Sequence, residues 1–345
     1  MTNDYQSHRY ATKPKRSQWW PFLKNTWWAK ILFVNAVLFI VATLKSGSLF
    51  LTEPAVLWQL GAQDPVTLAG GEYWRYVTPM FLHGGLIHFL FNSMAIYYVG
   101  RDLEPVLGKT RFLLVYFFSG IAGSVASALF SLSQSVGASG AIFGLIGAGL
   151  YIERSVARYL EKQTGEKPAR GPYMLMLLIN LPLSFLPMID SNAHLGGFFS
   201  GFLLTWVLMH FTESRLVEKK PLPALALLVL LLGALTYGAY LGTNADFVAQ
   251  QLEKKGDSAS ETQVKFFHYN RALKIKSDKP NLYFKRGRLL ILAGELAEGY
   301  ADIVRARKDP AFGTQMQALI EELIANGHEK DALYLQDILD QGTSI

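Results

Sequence analysis

The 345 residues are half hydrophobic and only 17% charged, with a formal net charge of +6 and no cysteine. Long uninterrupted apolar runs rather than an amphipathic period place such a chain in a membrane. The missing cysteine excludes a thiol nucleophile, a disulfide framework and cysteine metal sites, and the positive charge comes with neither a basic domain nor a nucleic-acid-binding motif.

In chain order, Trp19, Trp20, Trp27 and Trp28 bracket the start of an apolar run long enough to span, which suits an interfacial belt better than a cleavable signal peptide. Stretches of the roughly 17–25 apolar residues that cross a bilayer fall near 30–50, 112–131, 172–188, 193–211 and 222–242. Two more are less pure, since 81–100 carries His83, His88 and Asn92, and 137–152 is short and rich in glycine. The expectation is seven spans.

Short loops rich in Lys and Arg stay cytoplasmic. Basic residues cluster before the first span (Arg9, Lys13, Lys15, Arg16, Lys24, Lys30), after the second (Arg101, Lys109, Arg111), after the fourth (Arg154, Arg158, Lys162, Lys167, Arg170) and after the sixth (Arg215, Lys219, Lys220). The alternate connections 51–80, 132–138 and 189–193 hold only Arg75. The N-terminus is therefore expected inside, and the tail from 244 onward outside.

Residues 51–80 form a long outer loop with Pro54, Pro65 and Gly70-Gly71 as breakers and Trp58, Tyr73, Trp74 and Tyr76 as interfacial aromatics. Aromatic-rich loops of this length are more often functional than plain connectors. The tail is polar with a helical pattern. Its stretch 281–310 carries Gly287, Gly294, Gly299 and Ala306 ahead of Pro310, close to tetratricopeptide spacing, and Gly327 with Ala332 makes a partial second match. A generic helical hairpin domain weighs nearly as much, because about three such repeats are needed for a self-sufficient stack. At best the tail is a docking module for a protein partner.

Polar groups at membrane depth are costly and tend to be functional. Ser139 opens the fourth predicted span in Gly137-Ala138-Ser139-Gly140, and His194 opens the sixth in Ala193-His194-Leu195-Gly196-Gly197. Both spans begin outside, as does the second, where His88 and Asn92 lie two to three turns in. Residues four apart share a helix face, so His88 and Asn92 present two donors for an oxyanion. Serine needs an adjacent base, and His194 can take its proton and pass it to a leaving amine. Asp190 falls in the expected outer loop, which favours a dyad over a triad. Gly140, Gly144 and Gly147 on one span and Gly197 and Gly201 on the other permit the close approach a dyad across two helices requires. Taken singly each feature has an ordinary structural explanation, since glycines pack, a lone serine bonds its own backbone and a lone histidine makes a polar contact. Their conjunction shifts the odds.

These residues resemble the rhomboid family of intramembrane serine proteases across roughly 29–211. Trp74-Arg75 is similar to the family's loop pair, His83, His88 and Asn92 to its second-span motif, Gly137-Ala138-Ser139-Gly140 to its Gly-x-Ser-Gly motif, and His194 with Gly197 and Gly201 to its sixth-span base and packing glycines. The resemblance implies a Ser139–His194 dyad in a water-filled cavity opening outward. It further implies an oxyanion hole from His88, Asn92 and the Ser139 N–H, and no metal or cofactor. Phe143 stands where the family often has a Tyr that packs on the base, and Glu104, expected in the cytoplasmic loop after the second span, matches an acidic position read as structural.

The expected fold is an all-α polytopic membrane protein. It comprises an N-terminal cytoplasmic segment 1–28, a rhomboid-like core of six transmembrane helices over 29–211, a linker 212–221, a seventh transmembrane helix 222–243 and an extracytoplasmic helical, tetratricopeptide-like domain 244–345. The expected activity is endoproteolysis of single-span membrane proteins in or beside their spans, in a membrane of bacterial plasma-membrane type. A non-catalytic rhomboid-like protein that binds transmembrane helices is the alternative, and the intact dyad argues against it. A transporter lacks the repeated broken helices of that class, and a metalloprotease lacks the His-Glu-x-x-His helix.

Overall fold

The computed structural model describes residues 25–166, 169, 171–186, 189–211 and 219–342. Most of the expected N-terminal segment, with Trp19 and Trp20, and most of the 212–221 linker lie outside the described residues. Helices account for nearly all regular structure, apart from an isolated bridge between Gln63 and Ser135.

A helix occupies each of the seven apolar segments: α1 (Trp27–Ser46), α4 (Leu86–Leu107), α5 (Lys109–Phe130), α6 (Ser139–Thr164), α7 (Pro172–Leu183), α8 (Ser191–His210) and α9 (Pro221–Thr243). Between α1 and α4 run the short helices α2 (Pro54–Leu60) and α3 (Pro65–Ala69) and two 3₁₀ turns, Tyr73–Tyr76 and Thr78–Phe81. By length and composition, α1, α5, α6 and α9 are each apolar enough to cross a membrane. The chain is a multi-pass membrane protein.

The boundaries correct the sequence reading in three places. The second apolar helix starts at Leu86, after the break at Gly84-Gly85, and continues to Leu107. Glu104 is therefore in a helix, not a loop, and both its oxygens accept from the Trp27 N–H at 3.0 and 2.8 Å and one from the Trp28 N–H at 3.0 Å. It caps α1, a structural role in accord with the expectation, at the helix end where negative charge is favoured. Second, α6 runs on to Thr164 through Glu153, Arg154 and Arg158, because helix continues where hydrophobicity stops. Third, Trp28 is not an interfacial anchor. It is buried, its ring 5.3 Å from Tyr97, and a side chain at Gly100 would collide with it.

Helix α6 is the centre of the first compact unit, which comprises the described residues within 25–63 and 74–235. From Gly140 to Ile152 every residue is buried. Its most extensive neighbour is α8, followed by α5. The approach is close because side chains are missing. A Cβ on Gly201 would lie 2.5 Å from the Gly144 Cα, one on Gly197 2.7 Å from the Gly140 carbonyl carbon, and one on Gly123 2.6 Å from the Ala193 carbonyl oxygen. In lipid no hydrophobic force drives helices together, so small residues that maximise van der Waals contact hold such a pair.

The second unit comprises residues 64–73 and 236–342. Its helices α10 (Ala245–Ser258), α11 (Thr262–Ile275), α12 (Pro280–Leu292), α13 (Leu296–Arg305), α14 (Phe312–Ala325) and α15 (Glu329–Gly342) pack as three successive pairs. Gly287 and Gly299 let α12 and α13 touch backbone to backbone. The loop segment 64–73 is held by a 2.6 Å ion pair between Arg271 of α11 and Asp64, both largely buried.

Candidate active site

Ser139 is the first residue of α6, with Ala138 and Gly137 forming the turn before it. Gly137 has φ +127°, a conformation only glycine adopts freely, and its N–H donates to the Pro79 carbonyl at 2.9 Å. A side chain there would also reach 2.8 Å from His88 Nε2 and 3.5 Å from Ser139 Oγ. The same missing Cβ therefore makes the turn and opens the space that His88 and Ser139 both face. As the first helical N–H, that of Ser139 has no intrahelical acceptor and sits at the positive end of the α6 dipole.

His194 lies in the first turn of α8 and is buried. Its Nε2 is 2.7 Å from Ser139 Oγ, and its Nδ1 is 2.8 Å from Ser184 Oγ. Phe143, one turn beyond Ser139, stacks on the imidazole with ring centroids 4.2 Å apart and planes 13° from parallel. Asp190 does not touch the imidazole through its carboxylate. It caps α8 by accepting from the Ala193 N–H at 3.1 Å, and it accepts from the Ser131 hydroxyl at 2.6 Å and from the Ser127 hydroxyl. That carboxylate fastens the start of α8 to the end of α5, which fixes where the His194 backbone begins.

His88 accepts at Nδ1 from the Gly84 N–H at 3.3 Å, so the network assigns its proton to Nε2, the nitrogen beside Gly137. Asn92 is buried and spends one amide hydrogen on the His88 carbonyl at 2.9 Å, which leaves the second for another acceptor. His83, fully buried, is a packing residue: its ring meets His88 and Phe89 edge-on at 5.2 and 5.5 Å, and neither nitrogen is hydrogen-bonded among the described residues. Trp74 is exposed, whereas Arg75 is buried and ties its loop by donating to the Trp58 and Ala62 carbonyls at 2.8 and 2.7 Å.

Three apolar helices thus bring together a hydroxyl, an imidazole nitrogen 2.7 Å from it, and the His88 ring beside the same Gly137 turn. Ser127 and Ser131, which bond Asp190, and Ser184, which meets His194, carried no sequence signal, since isolated serines near the ends of apolar runs form no pattern.

The family model described as the rhomboid domain matches residues 70–211. Among similar proteins, YdcA of Bacillus subtilis (strain 168), named after the rhomboid proteases, is 37% identical over 192 residues, 54% of this chain and 89% of that protein. The rhomboid protease GluP of the same organism is 35% identical over 246 residues, 70% of this chain and 47% of GluP. RHOMBOID-like protein 5 of Arabidopsis thaliana is 35% identical over 184 residues, 52% of this chain and 58% of the relative. The chain spans about half the length of these last two. It is a helical membrane protein with a serine–histidine pair held on two glycine-packed helices. It belongs to the rhomboid family.

Proposed function

We propose that the protein is an intramembrane serine endopeptidase that hydrolyses peptide bonds in or next to the transmembrane segments of single-span membrane proteins, with Ser139 as nucleophile and His194 as general base. The observation that carries the reading is the 2.7 Å hydrogen bond between Ser139 Oγ and His194 Nε2, with Phe143 stacked on the imidazole. At that distance the imidazole takes the hydroxyl proton as Oγ attacks the scissile carbonyl. Charge then develops on the carbonyl oxygen, where the Ser139 N–H, His88 Nε2–H and the remaining Asn92 hydrogen are the donors to receive it. The imidazolium returns its proton to the departing amine, and water repeats the sequence on the acyl-enzyme.

Seven spans, an inward N-terminus and an extracytoplasmic tail complete the proposal. The positive-inside distribution and a helix at each apolar segment support them. The domain division over 29–211, 222–243 and 244–345 is proposed on the same grounds, with the paired helices after Asn244 as a tetratricopeptide-like docking module for a protein partner.

Purified protein in mild detergent, given a single-span reporter substrate, tests this reading. Cleavage in or beside the span by the intact protein, abolished by Ser139→Ala and by His194→Ala, is expected. Cleavage that survives both substitutions, or none by the intact protein, would shift the reading to helix binding without catalysis.

A further inference from the structure

The second nitrogen of His194 has a partner that the serine–histidine reading does not use. Ser184, the residue that ends α7, is 1% exposed and places its Oγ 2.8 Å from His194 Nδ1. The same hydroxyl donates to the Asn180 carbonyl at 2.9 Å. A serine hydroxyl has one hydrogen and two lone pairs. With its hydrogen spent on Asn180, its oxygen faces Nδ1 as an acceptor, and Nδ1 must carry the proton.

We propose that Ser184 is a positioning residue of the active site that holds His194 in the tautomer protonated at Nδ1. The inference rests on the catalytic reading above. The consequence falls on the other nitrogen: a neutral imidazole protonated at Nδ1 has a lone pair at Nε2, the atom 2.7 Å from Ser139 Oγ. The opposite tautomer would point an N–H at the nucleophile and could not accept its proton. The chain of bonds runs Ser139 O–H to Nε2, Nδ1–H to Ser184 Oγ, and Ser184 O–H to the Asn180 carbonyl, so each hydrogen has one acceptor.

This is the orienting role that a carboxylate fills in a triad, performed here by a neutral hydroxyl dipole. When the imidazole gains the proton of Ser139, both its nitrogens become donors, and the oxygen of Ser184 is already turned to accept from Nδ1. The nearest carboxylate in sequence, Asp190, is occupied in capping α8 and bonding Ser127 and Ser131. Burial of Ser184 also makes it hard for water to replace the hydroxyl if it is removed, so the Nδ1–H would be stranded in a medium where an unpaired donor is costly.

The test compares the intact protein with Ser184→Ala and Ser139→Ala by two readouts. On the single-span reporter substrate, Ser184→Ala is expected to lower kcat about 10- to 100-fold with KM little changed, whereas a merely structural loss would lower the folded fraction and leave kcat per folded molecule intact. Nitrogen-15 NMR of histidine-labelled protein is expected to show His194 protonated at Nδ1 and bare at Nε2, and Ser184→Ala to turn this into a mixture of tautomers. Unchanged kcat together with unchanged ring shifts would overturn the positioning role while the serine–histidine reading stands. If the intact protein fails to cleave, the catalytic reading falls separately, and the ring nitrogens still decide whether Ser184 sets the tautomer.

Discussion

Gly197→Ala adds one methyl group where α6 and α8 have no room for it. Its Cβ would lie 2.7 Å from the carbonyl carbon of Gly140 and 3.1 Å from the Gly140 Cα. Carbon atoms rest at about 3.5–4.0 Å, and both obstacles are backbone, so the helices must separate by about 1 Å. Gly140 adjoins Ser139, and Gly197 is one turn past His194, so the shift reaches the site almost undiminished. A 2.7 Å bond stretched by about 1 Å leaves hydrogen-bonding range, and misplacement of that size costs up to about 100-fold in rate. Overpacking costs about 1–3 kcal/mol of stability besides. The assay is kcat on a single-span reporter substrate in proteoliposomes, normalised to folded protein, beside thermal unfolding. Gly233→Ala in α9 is the control, since nothing lies within 4 Å of its Cβ; it should retain the rate of the intact protein. Gly197→Ala at that same rate would refute the argument that glycine contact sets the Ser139–His194 distance.

Glu104→Gln removes the charge from a buried carboxylate that accepts from two backbone N–H groups. It should cost about 1–3 kcal/mol in unfolding experiments, with kcat per folded molecule unchanged. Phe143→Leu removes the ring stacked on His194 and should lower kcat by about fivefold, from roughly 1 kcal/mol of stacking. Phe143→Tyr keeps the ring and should stay near the original rate, and comparing the two by kcat separates stacking from bulk. For the second unit, a double-mutant cycle over Asp64→Ala and Arg271→Ala should return a coupling of about 1–3 kcal/mol in denaturant unfolding. A coupling near zero would mean that the ion pair does not hold residues 64–73.

The sequence made the apolar helices legible because each must present an unbroken hydrophobic run to lipid, and hydropathy reads that run directly. It does not read helix ends. Arg154, Arg158 and Lys162 looked like a loop by charge but continue α6, and Glu104 looked like a loop residue although it lies in the last turns of α4. The residues of the candidate site stood out for a different reason: Ser139 and His194 are polar groups set among glycines, and glycine clusters mark where two backbones touch. The positioning groups had no such frame. Asp190 is the N-cap of α8 and Ser184 the last cap of α7. Either could be an ordinary helix-ending residue until three dimensions show that one anchors α5 and the other meets the imidazole.

The most direct test of the central claim is the reactivity of Ser139 itself. The purified protein, treated with a fluorophosphonate and digested, should give one covalent adduct, on the peptide that contains Ser139. That adduct should vanish in Ser139→Ala and be strongly diminished in His194→Ala, because only a serine beside a working base is nucleophilic. An adduct on another serine, or labelling of Ser139 that does not depend on His194, would contradict the account.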